Sequence, residues 1–279
     1  MSTMIAKGTA LITGASSGIG AIYADRLARR GHDLILVARN QSRLEALAAR
    51  LRDETGRSVE IVPADLNDDA DLRRVETILR TNSTIAMLVN NAGVGGAAPL
   101  LASDVDAMDQ MIRLNVLALT RLTYAAVPAF AARGGTIINI ASIVAISPET
   151  LNGVYGGSKA FVLAFSQSLQ HELADKGVRV QVVLPGATAT EFWDIAGLPV
   201  SNLPAEIVMS AQDVVDAALA GLDQGETVTI PSLEDKAEWD AYDAARRAMA
   251  GRLSRTNPAT RYNVVAAKAD RASREPTRV

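Results

Sequence analysis

Short apolar runs alternate along this chain with longer stretches whose apolar residues recur every three or four positions, the pattern of βα units that build a parallel sheet. Thr9 to Thr13 reads as the first strand and Gly18 to Arg30 as the first helix, stopped by Gly31. Leu34 to Ala38 is the second strand. In the helix after it, Ser42 and Glu45 stand at capping-box spacing, Leu44, Leu47 and Leu51 share a face, and Gly56 ends the run. Strands follow at Val59 to Val62 and Ile85 to Asn90, separated by a polar helix from about Asp68 to Arg80. A long amphipathic helix from about Ala107 to Ala131, a strand at Thr136 to Ala141, a helix from about Val154 to Ala174 and a strand at Val178 to Leu184 continue the alternation. Right-handed crossovers bring the carboxyl ends of such strands to one edge, where open sheets bind ligands.

After Pro185 the period is lost until about Met209, and residues 187–210 are expected to form a substrate lid with Phe192, Trp193, Ile195, Leu198, Val200 and Leu203 as an apolar wall. A helix near Ala211 to Leu222 and a strand near Thr227 to Ile230 complete the pattern, so a catalytic domain is expected over residues 1–232. Residues 233–279 read as a helical extension containing Trp239 and Tyr242. Its polar tail, with Arg261 and Tyr262, is expected to be partly disordered or packed on a neighbouring subunit.

Composition narrows the chemistry. The 279 residues, 48% of them hydrophobic, supply one large core. A net charge of -3, without a basic patch or interleaved aromatics, argues against nucleic acid and for a small-molecule substrate. Without cysteine there is no disulfide, thiol nucleophile or cysteine-ligated zinc, and with only His32 and His171 no metal site is expected. No uninterrupted apolar run reaches the roughly 18 residues of a membrane span, and a cytoplasmic protein is expected.

Two segments carry the candidate chemistry. Thr13 to Gly20 joins the first strand to the first helix, where glycines let a phosphate approach the backbone and the helix terminus attracts its charge. Its spacing departs from G-x-G-x-x-G, so a plain tight turn is one alternative. A G-x-S-x-G nucleophile elbow at Ser16 is another, but a serine hydrolase lacks a histidine in a suitable late position. At the end of the second strand no acid waits for an adenosine ribose; Arg39, with Ser16, Asn40 or Arg43, suits a 2′-phosphate and hence NADP(H) over NAD(H), although Arg43 reads equally as a solvated helix residue. Further on, Lys159 stands one helical turn after Tyr155, with Ser142 preceding both. An ammonium about 4.5 Å from the phenol, at an effective dielectric of about 20, supplies roughly the 3 to 4 kcal/mol needed to bring its pKa toward neutrality, so Tyr155 is expected to be primed by Lys159.

Thr13-Gly14 with Gly18-Ile19-Gly20, Asp65, Asn90-Asn91-Ala92-Gly93, Asn115, Ser142, Tyr155 with Lys159, and Pro185-Gly186 with Thr188 and Thr190 occur in the order of the short-chain dehydrogenase/reductase family, which the first 230 residues or so resemble. Arg39 and the extended tail are similar to NADP-dependent bacterial members. The resemblance implies a single Rossmann-like, doubly wound α/β domain, with a predominantly parallel seven-stranded sheet and helices on both faces. It also implies that Tyr155 is the acid/base, Ser142 holds the substrate oxygen, Lys159 binds ribose and tunes Tyr155, and Asn115 supports a water-linked proton path. Gly14, Ser16, Ser17, Gly18, Ile19 and Gly20, with Leu66, Ala92 and Gly93, would bind the cofactor, Asp65 and Asn91 would contact its adenosine side, and Pro185, Gly186, Thr188 and Thr190 would border its nicotinamide. A homodimer or homotetramer interconverting a carbonyl and an alcohol follows. The different-class alternative is a nucleotide-binding regulatory protein without turnover.

Overall fold

Continuous apolar runs become strands buried on both faces in the computed structural model, which describes residues 7–264. The strands are β1 (Thr9–Thr13), β2 (Asp33–Ala38), β3 (Val59–Pro63), β4 (Ile85–Asn90), β5 (Gly135–Ile140), β6 (Val178–Val183), β7 (Thr188–Ala189), β8 (Met209–Ser210) and β9 (Val228–Thr229). Seven of them form one sheet in the order β3-β2-β1-β4-β5-β6-β9, with every neighbouring pair parallel. The order reverses between β1 and β4, and the crevice at their carboxyl ends is where such a sheet receives a ligand. The seven-stranded, doubly wound architecture expected from the sequence is the one observed.

Alternate strand residues feed two cores. One face joins Ile12, Leu36 and Val89 to α1 (Gly18–Arg29), α2 (Gln41–Thr55) and, from later in the chain, residues 211–223, through Tyr23, Leu44 and Leu219. The other joins Leu11, Val37 and Leu88 to Val75 of α3 (Asp69–Thr81) and to a helical run at Val105–Arg133. That run consists of α4 (Val105–Ile112), a π-helical turn at Arg113–Ala118 and α5 (Leu119–Arg133). Its length and mean hydropathy of 1.3 would suffice to cross a membrane, yet Ala118, Leu122, Ala126 and Phe130 lie in the sheet core. Next come α6 (Gly153–Glu172), α7 (Phe192–Ile195) and α8 (Ala211–Asp223).

Capping of α2 differs from the sequence expectation. Asn40, rather than Ser42, is the N-cap: its side-chain oxygen accepts from the Arg43 N–H, and Ser42 donates to that same oxygen. Asparagine caps at least as well as serine, and the helix starts accordingly earlier. The irregular stretch after Pro185 is closed at its base by a ladder the sequence did not announce, Thr188 pairing with Met209 and Ala189 with Ser210.

The chain divides into two compact units, Met1–Ser232 and Leu233–Val279. Within the second, α9 (Lys236–Met249) is capped by Asp235 and brings Trp239 and Tyr242 together at 5.3 Å, while Arg261 lies over the Tyr262 ring. The rest of the expected tail, residues 265–279, lies outside the described residues.

Candidate active site

The turn after β1 is built for close approach. Gly14 and Gly18 have φ of +64° and +52°, conformations that disfavour side chains. A Cβ on Gly14 would lie 2.9 Å from the Ala92 backbone, and one on Gly20 would lie 2.5 Å from the Asn91 side chain and collide with the Gly14 carbonyl. Asn91 Nδ2 donates to the Thr13 and Gly14 carbonyls at 2.9 and 3.1 Å, and the Thr13 hydroxyl accepts the N–H groups of Asn91 and Ala92 at 3.0 Å. These bonds stitch the ends of β1 and β4. Asn91 thus shapes the cradle through its side chain. Ser17, the N-cap of α1, makes no side-chain capping bond, and no acid stands in the first turn. The positive helix end therefore faces the cradle uncompensated, and Gly14, Ser16, Ser17, Gly18, Ile19 and Gly20 fit an anionic diphosphate.

On the adenosine side, Arg39 is exposed at the end of β2 and makes no hydrogen bond or ion pair among the described residues. Arg43 is instead paired with Glu191 through both terminal nitrogens. The Asp65 carboxylate accepts the Asn67 N–H at 3.0 Å and shapes the entry to α3, while Leu66, Thr13, Ala92 and Leu114 close together at the end of β4.

The catalytic candidates meet at the same edge. Ser142 follows β5, donating to the Pro185 carbonyl and accepting the Val144 N–H. Asn152 caps α6 by accepting from the N–H groups of Val154 and Tyr155, which sets Tyr155 in the first turn. One turn on, the buried Lys159 Nζ donates to the Ile140 carbonyl at 2.9 Å and lies 5.8 Å from the centre of the Tyr155 ring. Asn115 projects from the π-helical turn, which widens the helix at that point; it donates to the Val94 carbonyl and Ser158 hydroxyl and accepts the Val94 N–H. Gly93 sits where these groups converge, since a Cβ there would be 3.1 Å from Asn115 Oδ1 and 3.4 Å from Lys159 Nζ.

The electrostatics reverse one expectation. Burial pushes the Tyr155 phenol up to about 12, with hydrogen bonding to Ser142 pulling the other way, and burial pushes Lys159 down to about 8. Helical spacing puts the two side chains together, but desolvation of the phenolate outweighs the attraction of an ammonium that is itself desolvated and turned to a carbonyl. At neutral pH the site holds a neutral phenol beside a mostly protonated amine.

Of the expected lid wall, Phe192 reaches Tyr155, its ring centre 5.6 Å away. A Cβ on Gly95 would collide with the tip of the Phe192 ring, at its Cζ, so Gly95 makes room for that ring. Trp193 is buried and donates its indole N–H to the Thr188 carbonyl, anchoring the lid, whereas Ile195 is exposed. The apolar cluster around Tyr155 is completed by Met108 and Met111, one turn apart on α4, and by Val144 and Leu151 after β5, which sequence reasoning missed because distant parts of the chain supply them. Thr190 packs near Gly18, and Pro185, Gly186 and Thr188 run past Ser142 into the lid.

Neither histidine can serve Ser16 as a hydrolytic base. His32 precedes β2 at the opposite sheet edge, against the Gly8 carbonyl, and His171 lies at the far end of α6, about 24 Å along its axis from Tyr155.

Comparison with known proteins agrees with this geometry. The family model described as short chain dehydrogenase matches residues 8–196. The chain is similar to the solved structure of a short-chain dehydrogenase from Sphingobium yanoikuyae in complex with NADPH, with 50% identity, a TM-score of 0.88, and 91% of this chain and 100% of that one covered. It is also similar to the bulky-bulky ketone specific alcohol dehydrogenase from Comamonas testosteroni, with 44% identity, a TM-score of 0.85, and 92% and 99% covered. Human 17-beta-hydroxysteroid dehydrogenase type 3 is 38% identical over 186 residues, 65% of this chain and 59% of the human protein. The chain spans 59% to 62% of the length of the human protein and of a very-long-chain 3-oxoacyl-CoA reductase from Anas platyrhynchos. With the family model covering most of the first unit and the glycine turn, Asn115, Ser142, Tyr155 and Lys159 gathered at one sheet edge, the chain belongs to the short-chain dehydrogenase family.

Proposed function

We propose that this protein is an NADP(H)-dependent oxidoreductase interconverting a lipophilic ketone and its secondary alcohol. The observation that carries the reading is a buried neutral phenol, Tyr155, with Ser142 and Lys159 beside it at the edge of a sheet whose first turn suits a diphosphate. When bound, the nicotinamide supplies or accepts the hydride. In the reducing direction the Tyr155 hydroxyl donates its proton to the substrate oxygen, and Ser142 Oγ hydrogen-bonds that oxygen as negative charge develops. A phenol of pKa about 12 still transfers downhill, because an aliphatic alcohol is a weaker acid. The Lys159 ammonium steadies the phenolate left behind, and Asn115, through Val94 and Ser158, keeps the adjoining backbone in place for proton return.

Preference for NADP(H) is supported by the unpaired Arg39 where an acid would be needed for an unphosphorylated ribose, and by the NADPH complex of the Sphingobium relative. The apolar wall of Met108, Met111, Val144, Leu151 and Phe192, and the ketones named for the Comamonas relative, support a bulky substrate. The exposed rings of Tyr124 and Phe161, each stacked on the half-buried Phe165, support assembly as a homo-oligomer.

The test is a panel of steroid, acyl, sugar and aromatic carbonyls followed by NADPH absorbance. The native protein is expected to turn over lipophilic members, and Tyr155→Phe to keep cofactor binding while losing roughly 100- to 10,000-fold in rate. Binding without turnover by the native protein across the panel would replace this reading with a non-catalytic nucleotide-binding role. Arg39→Asp is expected to shift preference toward NAD(H), and unchanged discrimination would refute the role of Arg39.

A further inference from the structure

Three consecutive lid residues touch three different parts of the site. The Thr190 methyl lies 3.1 Å from where a Gly18 Cβ would stand, Glu191 takes both terminal nitrogens of Arg43 at 2.6 and 3.1 Å, and Phe192 packs on Tyr155. The lid base is held independently, by the β7–β8 ladder and by the Trp193 indole on the Thr188 carbonyl. The Arg43–Glu191 pair is therefore an additional tie, made across 148 positions of sequence between the lid and the first turn of α2. Arg43 donates its own N–H to Asn40, so it stands in the turn that begins beside the free Arg39.

We propose that Glu191 is a cofactor-specificity-determining residue acting through Arg43. Its carboxylate holds the guanidinium in the structure, and a 2′-phosphate on the adenosine competes for that guanidinium, so that recognition of the phosphorylated cofactor and release of this lid tie are one coupled event. A phosphate offers more charge and more acceptor oxygens than a carboxylate, while a ribose hydroxyl offers no anion and leaves the tie closed. The coupling runs both ways: whatever frees Arg43 from Glu191 strengthens the grip on the 2′-phosphate, and whatever binds there loosens the lid. Both side chains are about half exposed, so the exchange is of the modest size typical of surface pairs and is screened by salt. The inference rests on the proposed preference for NADP(H).

The test uses the full chain with adenosine 2′,5′-bisphosphate and 5′-AMP as probes, titrated calorimetrically at low salt. Glu191→Gln is expected to bind the bisphosphate about two- to fivefold more tightly and AMP unchanged, a gain that disappears in Glu191→Gln/Arg43→Gln and shrinks at 0.5 M salt, on the order of a Debye length of a few ångströms. Limited proteolysis of residues 187–210 is expected to accelerate with bisphosphate over AMP in the native protein, and to show no such difference in Glu191→Gln. A bisphosphate-to-AMP ratio unchanged by Glu191→Gln overturns the proposal while leaving the NADP(H) reading intact. Weaker bisphosphate binding by that variant also overturns it and makes Glu191 a clamp over the bound nucleotide. Native protein that binds the two probes equally removes the preference on which the inference stands.

Discussion

Replacing Lys159 with methionine tests whether the amine is held in the site at a cost to the fold. The side chain is buried, its amine donates to the Ile140 carbonyl, and its pKa falls from 10.5 to about 8. Below about pH 8 both folded and unfolded chains carry the proton, and the folded state bears the full penalty of a buried ammonium, about 3 kcal/mol for a shift of this size. Between about 8 and 10.5 the folded state sheds the proton while the unfolded chain keeps it, so native stability from this group rises with pH. Methionine removes the charge but also the hydrogen bond to Ile140, worth about 1.5 to 3 kcal/mol, so the variant should be as stable as the native protein or slightly more so at pH 7. The sharper expectation is the trend: from pH 7 to 9.5 its advantage should fall by about 2 kcal/mol. Stopping at 9.5 avoids the range above 10 where Tyr155, raised to about 12, begins to subtract stability. Urea unfolding at several pH values measures this directly. Stability curves that run parallel across that range would show that Lys159 is not desolvated as the structure has it, and the electrostatic account of the site would go with it. Turnover should be lost in the variant at every pH, a separation of stability from activity common at functional sites.

Gly20→Ala should cost about 1 to 3 kcal/mol in urea unfolding, because the added methyl meets the Gly14 carbonyl and the Asn91 amide rather than a flexible side-chain end. Nucleotide affinity should fall with it, and a variant of native stability and affinity would mean the turn is looser than described. Phe192→Ala should raise KM for an aryl or alicyclic ketone about tenfold with cofactor affinity unchanged, the loss of one aromatic contact of about 1.4 kcal/mol, and an unchanged KM would take Phe192 out of the substrate wall.

The strands and the site edge were readable because strands buried on both faces leave continuous apolar runs, and because Gly14 to Gly20 and Tyr155 to Lys159 are local patterns with local geometry. What stayed hidden depends on burial or on distant chain. Spacing brought Lys159 to Tyr155 but could not say that both would be desolvated, which reverses the direction of the phenol's shift. Met108, Met111, Val144 and Leu151 converge only after β4 and β5 are placed side by side, and the two-residue strands β7 and β8 are too short to show a period. Arg43 illustrates the same limit. Its neighbours in sequence suggested a phosphate ligand or a solvated charge, and could not reveal its ion pair with a lid carboxylate far along the chain.

A buried set of polar side chains explains how the catalytic helix keeps its setting. Asn90 and Asn139 are register partners on β4 and β5, and Asn90 Nδ2 donates to both Asn139 Oδ1 and the Thr123 hydroxyl of α5. Asn139 Nδ2 in turn donates to the Ser166 hydroxyl of α6 at 2.9 Å. Tyr155, Lys159, Val162 and Ser166 are spaced at helical intervals on one face of α6, so a bond that fixes Ser166 against β5 also fixes the rotation and axial position of Tyr155 and Lys159. Apolar residues of equal volume would pack this region without the desolvation that leaves Asn90 Oδ1 unpartnered among the described residues, but they would accept several rotations of the helix. Directional bonds accept one. Asn90, at the end of β4, is by its contacts a part of the scaffold that aims the phenol.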